Sequence, residues 1–326
     1  MRRFAFRTVA GVLAAALLIP LSAQAQSDNL SEALGSIGEQ YADNYTQPVT
    51  DALGAGMNAG LFRTADVGSL GLVPGVDVYV GVSAMGAFTS GSNDSFRLQN
   101  DEIQTNGRTL IVEYPNTDLP TAFGENESPG TATVIDEETG QQVDEISLPP
   151  SLLNTSIAPL VVPQVGVGSV FGTDAQVRYL PETTISNYGS VSLTGLSVRH
   201  SISQYIPLSP VALAVQGTWQ SLTVSGEEQD GVVNANGWAL NAQVSKSVPV
   251  APITVYGGLQ YEQFGVDVDY TFRSNAGTSE VQLDQDAANN VRALAGVSVT
   301  LAIFQLNVDY ALSANNTVSA GLGVAL

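Results

Sequence analysis

At 326 residues the chain has no cysteine, a single histidine and 32 glycines, so it is neither a disulfide framework nor a cysteine-ligated zinc protein. Its 11 basic residues stand against 31 acidic ones for a formal charge of -20, and Lys246 is the only lysine; the basic patch that nucleic acid requires is missing. Hydrophobic content of 44% beside 13% charged residues excludes a disordered chain.

The N-terminus reads as a targeting signal. Arg2, Arg3 and Arg7 precede an apolar run at 9–21 that is too short to span a bilayer, and Ala23-Gln24-Ala25 forms a small-x-small cleavage site. The pattern predicts a signal peptide over 1–25 and a mature chain beginning at Gln26, rather than an uncleaved helical anchor. Removing three arginines leaves 11 - 3 = 8 basic residues against 31 acids, a mature charge of about -23. No later stretch approaches the ~18 consecutive apolar residues of a membrane helix, so a membrane protein of this sequence has to be a barrel.

Residues 26–66 read as an N-terminal helical segment. Leu30, Ala33, Leu34, Ile37 and Tyr41 fall at helical spacing, and Thr46-Gln47-Pro48-Val49 resembles an N-cap followed by an early-helix proline. Gly54, Gly56 and Gly60 then loosen the chain. Such a segment ahead of a barrel either plugs the lumen or stays outside it as a periplasmic appendage.

Residues 67–326 read as the barrel, and from 160 to the C-terminus period two dominates. Leu196, Val198, Ile202 and Ile206 alternate with Ser197, Arg199, Ser201 and Ser203, and Leu306, Val308, Tyr310 and Leu312 repeat the pattern. Short turns near 207–210, 248–252 and 302–304 interleave with longer polar loops at 225–236 and 273–290, the asymmetry of a transmembrane barrel. The expectation is an all-β, antiparallel transmembrane β-barrel of about ten to twelve strands. Ten lie near 70–89, 161–170, 174–180, 190–206, 210–224, 236–247, 253–272, 290–301, 305–313 and 317–326. A further hairpin from 108–114 and 131–135 would raise the number to about twelve. A secreted β-sandwich is the soluble alternative, but its outer faces carry more charge. Tyr205, Trp219, Trp238, Tyr261, Phe272 and Phe304 fall near strand ends, where interfacial girdles form.

A long acidic loop is expected at 91–160. Its 91–150 part holds 12 carboxylates and only Arg97 and Arg108 as cations. It is too long for an ordinary connection, and either folds over the barrel mouth or serves as a solvated surface loop.

Motifs for chemistry are few. His200 would have to serve any serine-histidine mechanism, yet position 202 on its face is Ile202 while Ser201 and Ser203 point the other way. Gly166 and Gly168 have no following helix, so no dinucleotide site is read there. Neither Asp284-Gln285-Asp286 nor Asp267 with Asp269 has the full spacing of a calcium loop. No enzyme activity, metal or cofactor is therefore expected. In 253–272 Phe264, Val266 and Val268 alternate with Asp267 and Asp269, and the face of the two aspartates is assigned to the lumen. With Arg178, Arg199, Glu262 and Arg292 these two make a candidate charged lumen lining.

Three stretches carry a resemblance: Tyr45-Thr46-Gln47-Pro48 with 60–65, Gly172-Thr173-Asp174 with 177–181, and Val198-Arg199-His200-Ser201 with Tyr205-Ile206-Pro207. Together they resemble an uncharacterised outer-membrane β-barrel family of Bacteroidota and relatives. A helical segment ahead of a barrel is more distantly similar to the long-chain fatty acid transport barrels, without their signature N-terminal sequence or ligand residues. The resemblance implies an outer-membrane barrel and brings no established substrate.

The expected function is passive passage of small molecules, hydrophobic ones among them; a closed-lumen structural or adhesive surface protein is the alternative. The expected partners are outer-membrane lipid, the assembly machinery for outer-membrane barrels, and a small hydrophobic ligand if anything is transported. The loops around 94–145, 227–230 and 280–286 are expected outside the cell, and Pro207, Pro249 and Ala302 at the periplasmic rim.

Overall fold

The computed structural model describes residues 39–67, 77–89, 94–105, 108–124, 129–151, 155–168, 171–185, 189–225, 231–274 and 277–325. The expected signal peptide and the helical spacing at 30–37 lie outside these residues. The first element is α1 (Glu39–Met57). After it come β1 (Asp77–Phe88) and six short strands: β2 (Ser95–Phe96), β3 (Asp101–Thr105), β4 (Arg108–Glu113), β5 (Leu119–Pro120), β6 (Thr131–Asp136) and β7 (Gln142–Ser147). The second half consists of β8 (Ile157–Gly168), β9 (Thr173–Ile185), β10 (Gly189–Ser201), β11 (Ala212–Ser225), β12 (Gly231–Ser247), β13 (Ile253–Ser274), β14 (Gly277–Asp286), β15 (Val291–Leu301), β16 (Phe304–Leu312) and β17 (Thr317–Ala325).

Ten of these strands close a ring. β1 pairs with β8 and β17, β8 to β13 each pair with the next in sequence, and β13, β15, β16 and β17 complete the circuit, every pair antiparallel. Closure leaves no edge in the wall, which a single-layer sheet surrounded by lipid requires. All ten wall strands lie where the alternation predicts them. The hairpin at 108–114 and 131–135 does not join the wall. It forms β4 and β6 of a separate four-stranded sheet ordered β3-β4-β6-β7, which covers one mouth. The 91–160 region is thus a folded cap rather than a solvated loop. Part of the expected loop at 273–290 is also a strand, β14, paired to the far end of β13.

The wall has two zones. Near the turn end, outward residues are apolar: Val198 on β10, Leu240 on β12, Leu259 on β13, and Leu306 and Val308 on β16 are all exposed. Inward residues at that depth are polar and buried, among them Gln216, Asn241, Gln243, Asn307 and Ser319. Trp219 faces Trp238 across β11 and β12, and Trp238 packs on Tyr261 at 5.5 Å, forming an aromatic belt. Phe171, Tyr205 and Phe304 are exposed near the opposite rim. From Trp238 to Val248 at the turn is 248 - 238 = 10 residues, about 33 Å of strand and about 25 Å along the axis at a ~40° tilt, which equals the apolar band of such barrels.

Beyond the belt the polarity reverses. Leu160, Val162, Leu180, Val191, Leu193, Leu222, Phe264 and Val266 point inward and form one cluster with Met57 and Ala59 of the N-terminal segment. This half is a conventional protein core wrapped by strands, and α1 fills it. Residues 39–66 therefore run through the lumen rather than beside the barrel. Pro48 lies inside α1 instead of at a second helix start. The flanking turns keep local bonds, Asn44 donating to the Gln40 carbonyl at 2.8 Å and Thr46 to that of Ala42 at 2.7 Å. Packing offsets the cost of an interior proline.

Candidate functional site

At the level where polarity reverses, the helix ends and the wall supplies its cap. The last turn of α1 contains no basic residue, although carbonyls at a helix C-terminus carry a partial negative charge and lack partners. Arg178, on the inward parity of β9, donates to the carbonyls of Met57 at 3.1 Å and Ala59 at 3.0 Å, and to that of Gly60. Gln220 on β11 donates to the Met57 carbonyl at 2.7 Å, and Gln260 on β13 to that of Asn58 at 2.9 Å. Arg292 on β15 donates to the Ala55 carbonyl at 2.9 Å. Four strands thus hold one helix end.

Arg292 is also bound to Glu262, through Nε at 3.1 Å and through a terminal nitrogen at 2.8 Å. Arg178 and Arg292 are 1% exposed and Glu262 is 0% exposed. A pair so buried is held by geometry and extra hydrogen bonds, since its desolvation cost is several kcal/mol per ion. Arg292 meets this with Thr317 at 3.0 Å, and Glu262 accepts from Gln260.

The chain leaves the helix through Gly60, whose φ is +65° and where a Cβ would lie 2.6 Å from Ser83 Oγ. Glycine is needed there both for the left-handed backbone and for the space. Nearer the turn end, Arg199 binds Asp174 and the carbonyl of Thr64, Ala65 N–H donates to Ser245 Oγ at 2.9 Å, and the Arg63 guanidinium lies 3.8 Å from the centroid of Tyr79. The segment is fastened at both ends of its path.

Of the six charged lumen candidates, Arg178, Arg199, Glu262 and Arg292 are buried inside the barrel. They clamp the N-terminal segment; the structure does not array them along an open bore. Asp267 is exposed on the same parity of β13 as Tyr261 and Gln263, outside the wall. The expectation that it faces the lumen fails because β13 continues past the aromatic belt, where water lies outside and the apolar core inside. Asp269 lies on β13 opposite Val232, and its side chain is outside the described residues. Sequence reasoning missed Gln220 and Gln260, uncharged partners of the ring, and Gln164, which accepts from Arg178 Nε at 3.4 Å; their inward parity was the available signal. It also missed Arg63, which no periodic pattern marks.

The whole chain, residues 1–326, matches the Family of unknown function (DUF6588). It belongs to that family. No curated protein matches it. Among solved structures the chain is similar to the translocator domain of autotransporter NalP from Neisseria meningitidis, at 12% identity and TM-score 0.28 over 77% of this chain and 88% of that one. It is similar to a loop-deletion mutant of OmpT, an outer membrane protein of Vibrio cholerae, at 12% identity and TM-score 0.26 over 77% and 99%. Pseudomonas aeruginosa OpdK with vanillate gives 8% identity and TM-score 0.22 over 77% and 98%. At these values the fold of this member of the family rests on its own strand pairings.

Proposed function

We propose that this is a bacterial outer-membrane protein, exported by a signal peptide at 1–25, whose lumen is closed by its own N-terminal segment and whose role is to present the folded cap at the cell surface. The cap end then faces outward and the short turns face the periplasm, in accord with the rule for such barrels. The observation that carries the reading is the ring of Arg178, Gln220, Gln260, Glu262 and Arg292 on the helix end, which occupies the lumen with buried, mutually bonded side chains. A ten-stranded wall encloses little more than its own side chains and one segment. Outer-membrane lipid contacts the apolar band. A structural or adhesive role needs no cofactor and no catalysis. His200, with Nδ1 at 2.7 Å from Thr173 Oγ1 and Nε2 at 3.0 Å from Tyr205 OH, is engaged on both nitrogens.

A second reading, passive transport, is favoured by the turn-end half of the lumen. Gln243 Oε1, Gln305 Oε1 and Asn307 Oδ1 are buried there without a protein partner, and such groups call for water. Planar-bilayer conductance separates the two. A surface-presenting barrel shows no steady conductance as the full chain and opens when residues 39–66 are deleted; steady conductance of the full chain favours transport and overturns the closed-lumen reading.

A further inference from the structure

We infer that the barrel carries the N-terminal end of its own mature chain across the membrane and exposes it on the cap side. The inference rests on the orientation proposed above, and its core is a relation between three described places along the chain.

The first is the start of α1, which is built into the cap. Tyr41 packs edge-on against Phe96 at 5.2 Å and stacks on Tyr114 at 6.1 Å. The Tyr45 hydroxyl donates to the Pro150 carbonyl at 2.7 Å, and the Ala122 N–H to the Tyr45 carbonyl at 3.0 Å. Gln40, one residue from the helix start, is exposed. The second place is the polar ring, which α1 reaches after 19 residues, about 28 Å at 1.5 Å per residue. The third is the turn end. Ala65 is bonded there to Ser245, two residues before β12 ends, and β1 begins with Asp77 opposite Gly168, where β8 ends at a turn.

The chain therefore crosses the apolar band twice in succession, once inside the lumen toward the turn end and once back as β1. The start of α1, with Gln40 exposed, is left on the cap side, opposite the rim at which β1 enters the wall. A return path through the lumen is closed by Arg178, Glu262 and Arg292. What lies ahead of Glu39 in the mature chain carries Asp28 and Glu32 as its charges beside the helically spaced Leu30, Leu34 and Ile37.

The cysteine-free chain allows a direct test. Ser27→Cys, Glu138→Cys in the cap and Pro249→Cys at a turn are each labelled on intact cells with a membrane-impermeant maleimide, and again after permeabilisation. The heat-modifiable gel shift confirms that each variant is folded. The expected result is that Ser27→Cys labels on intact cells as strongly as Glu138→Cys, while Pro249→Cys labels only after permeabilisation. Protection of Ser27→Cys alongside free labelling of Glu138→Cys overturns the inference and leaves the orientation standing. Labelling of Pro249→Cys with protection of Glu138→Cys overturns the orientation, and the inference with it.

Discussion

Glu262 and Phe264 point into the same interior from one strand, two positions apart, and both are buried. The first binds Arg292 at 2.8 Å; the second packs so closely on α1 that a Cβ at Gly54 would come within 2.9 Å of its ring. Between them runs the boundary of two solvents. On the turn side of Glu262 the wall has lipid-compatible residues outside and polar ones inside, and on the cap side of Phe264 the order is that of a water-soluble protein. The helix end sits on the boundary because its carbonyls need the polar ring while its side chains need the apolar core.

Gly54→Ala distinguishes a packed plug from a loosely held helix. In a free helix the change is favourable by up to about 1 kcal/mol. Here the new methyl would lie 2.8 Å from the Ala287 Cβ as well as against Phe264, and overpacking of this kind costs about 1–3 kcal/mol. Urea unfolding of the refolded barrel in detergent should show the variant less stable than the parent; a more stable variant would refute the packed arrangement.

Removal of one partner of the buried pair should be worse than removal of both. Arg292→Met leaves Glu262 buried and uncompensated, along with the Ala55 carbonyl, at a cost of about 3–5 kcal/mol. Combined with Glu262→Leu, much of the loss should return, since a buried pair replaced by apolar residues of similar volume is often close to neutral. The same unfolding assay gives the coupling as a double-mutant cycle. Additive losses would mean that the two side chains are not paired in the folded protein.

The wall was legible because lipid and lumen impose the same two-residue period on every strand, and turn lengths then set the count. What the period does not encode is which solvent lies on each side. Asp267 follows Tyr261 on one parity without a break, so alternation alone does not show that the outside changes from apolar to aqueous between them. The cap hairpin of β4 and β6 was misread for the same reason, since any half-buried sheet alternates. Arg178 and Arg292 were found because charge on a strand in an apolar sequence is conspicuous. Their partners were not, because the acceptors are backbone carbonyls, which every residue has and no sequence distinguishes. Pro48 marked a helix start by local rules, and its place inside α1 reflects packing that those rules ignore.

The cap should loosen in alkali before the wall does. Burial, reinforced by nearby Asp101, pushes the Tyr114 phenol up to about 12 from 10.0. The neutral form is thus the one the folded cap retains. Its contribution is complete below pH 10 and is lost as pH rises from 10 toward 12, because the unfolded cap releases that proton first. Tyrosinate absorbance at 295 nm, compared between the parent and Tyr114→Phe, should show one phenol ionising late, and protease sensitivity of the cap should rise over the same interval. A Tyr114 that titrates near 10 would mean that the cluster with Tyr41 is open to water.

The two zones of the wall should respond differently to a positive charge on their outer face. Leu259 and Asp267 share the outward parity of β13, and Leu259 pairs with Ala242 and Ala293 near the middle of the apolar band. Arginine at 259 must then place its charge among acyl chains, at a cost of about 2–4 kcal/mol near a bilayer midplane. Arginine at 267 lies in water beyond the aromatic belt and should change stability by no more than about 0.5 kcal/mol. Folding free energies measured in lipid vesicles for Leu259→Arg and Asp267→Arg should therefore differ strongly. Equal costs in vesicles would mean that the band is misplaced along β13, and a large cost at 267 alone would invert the two zones.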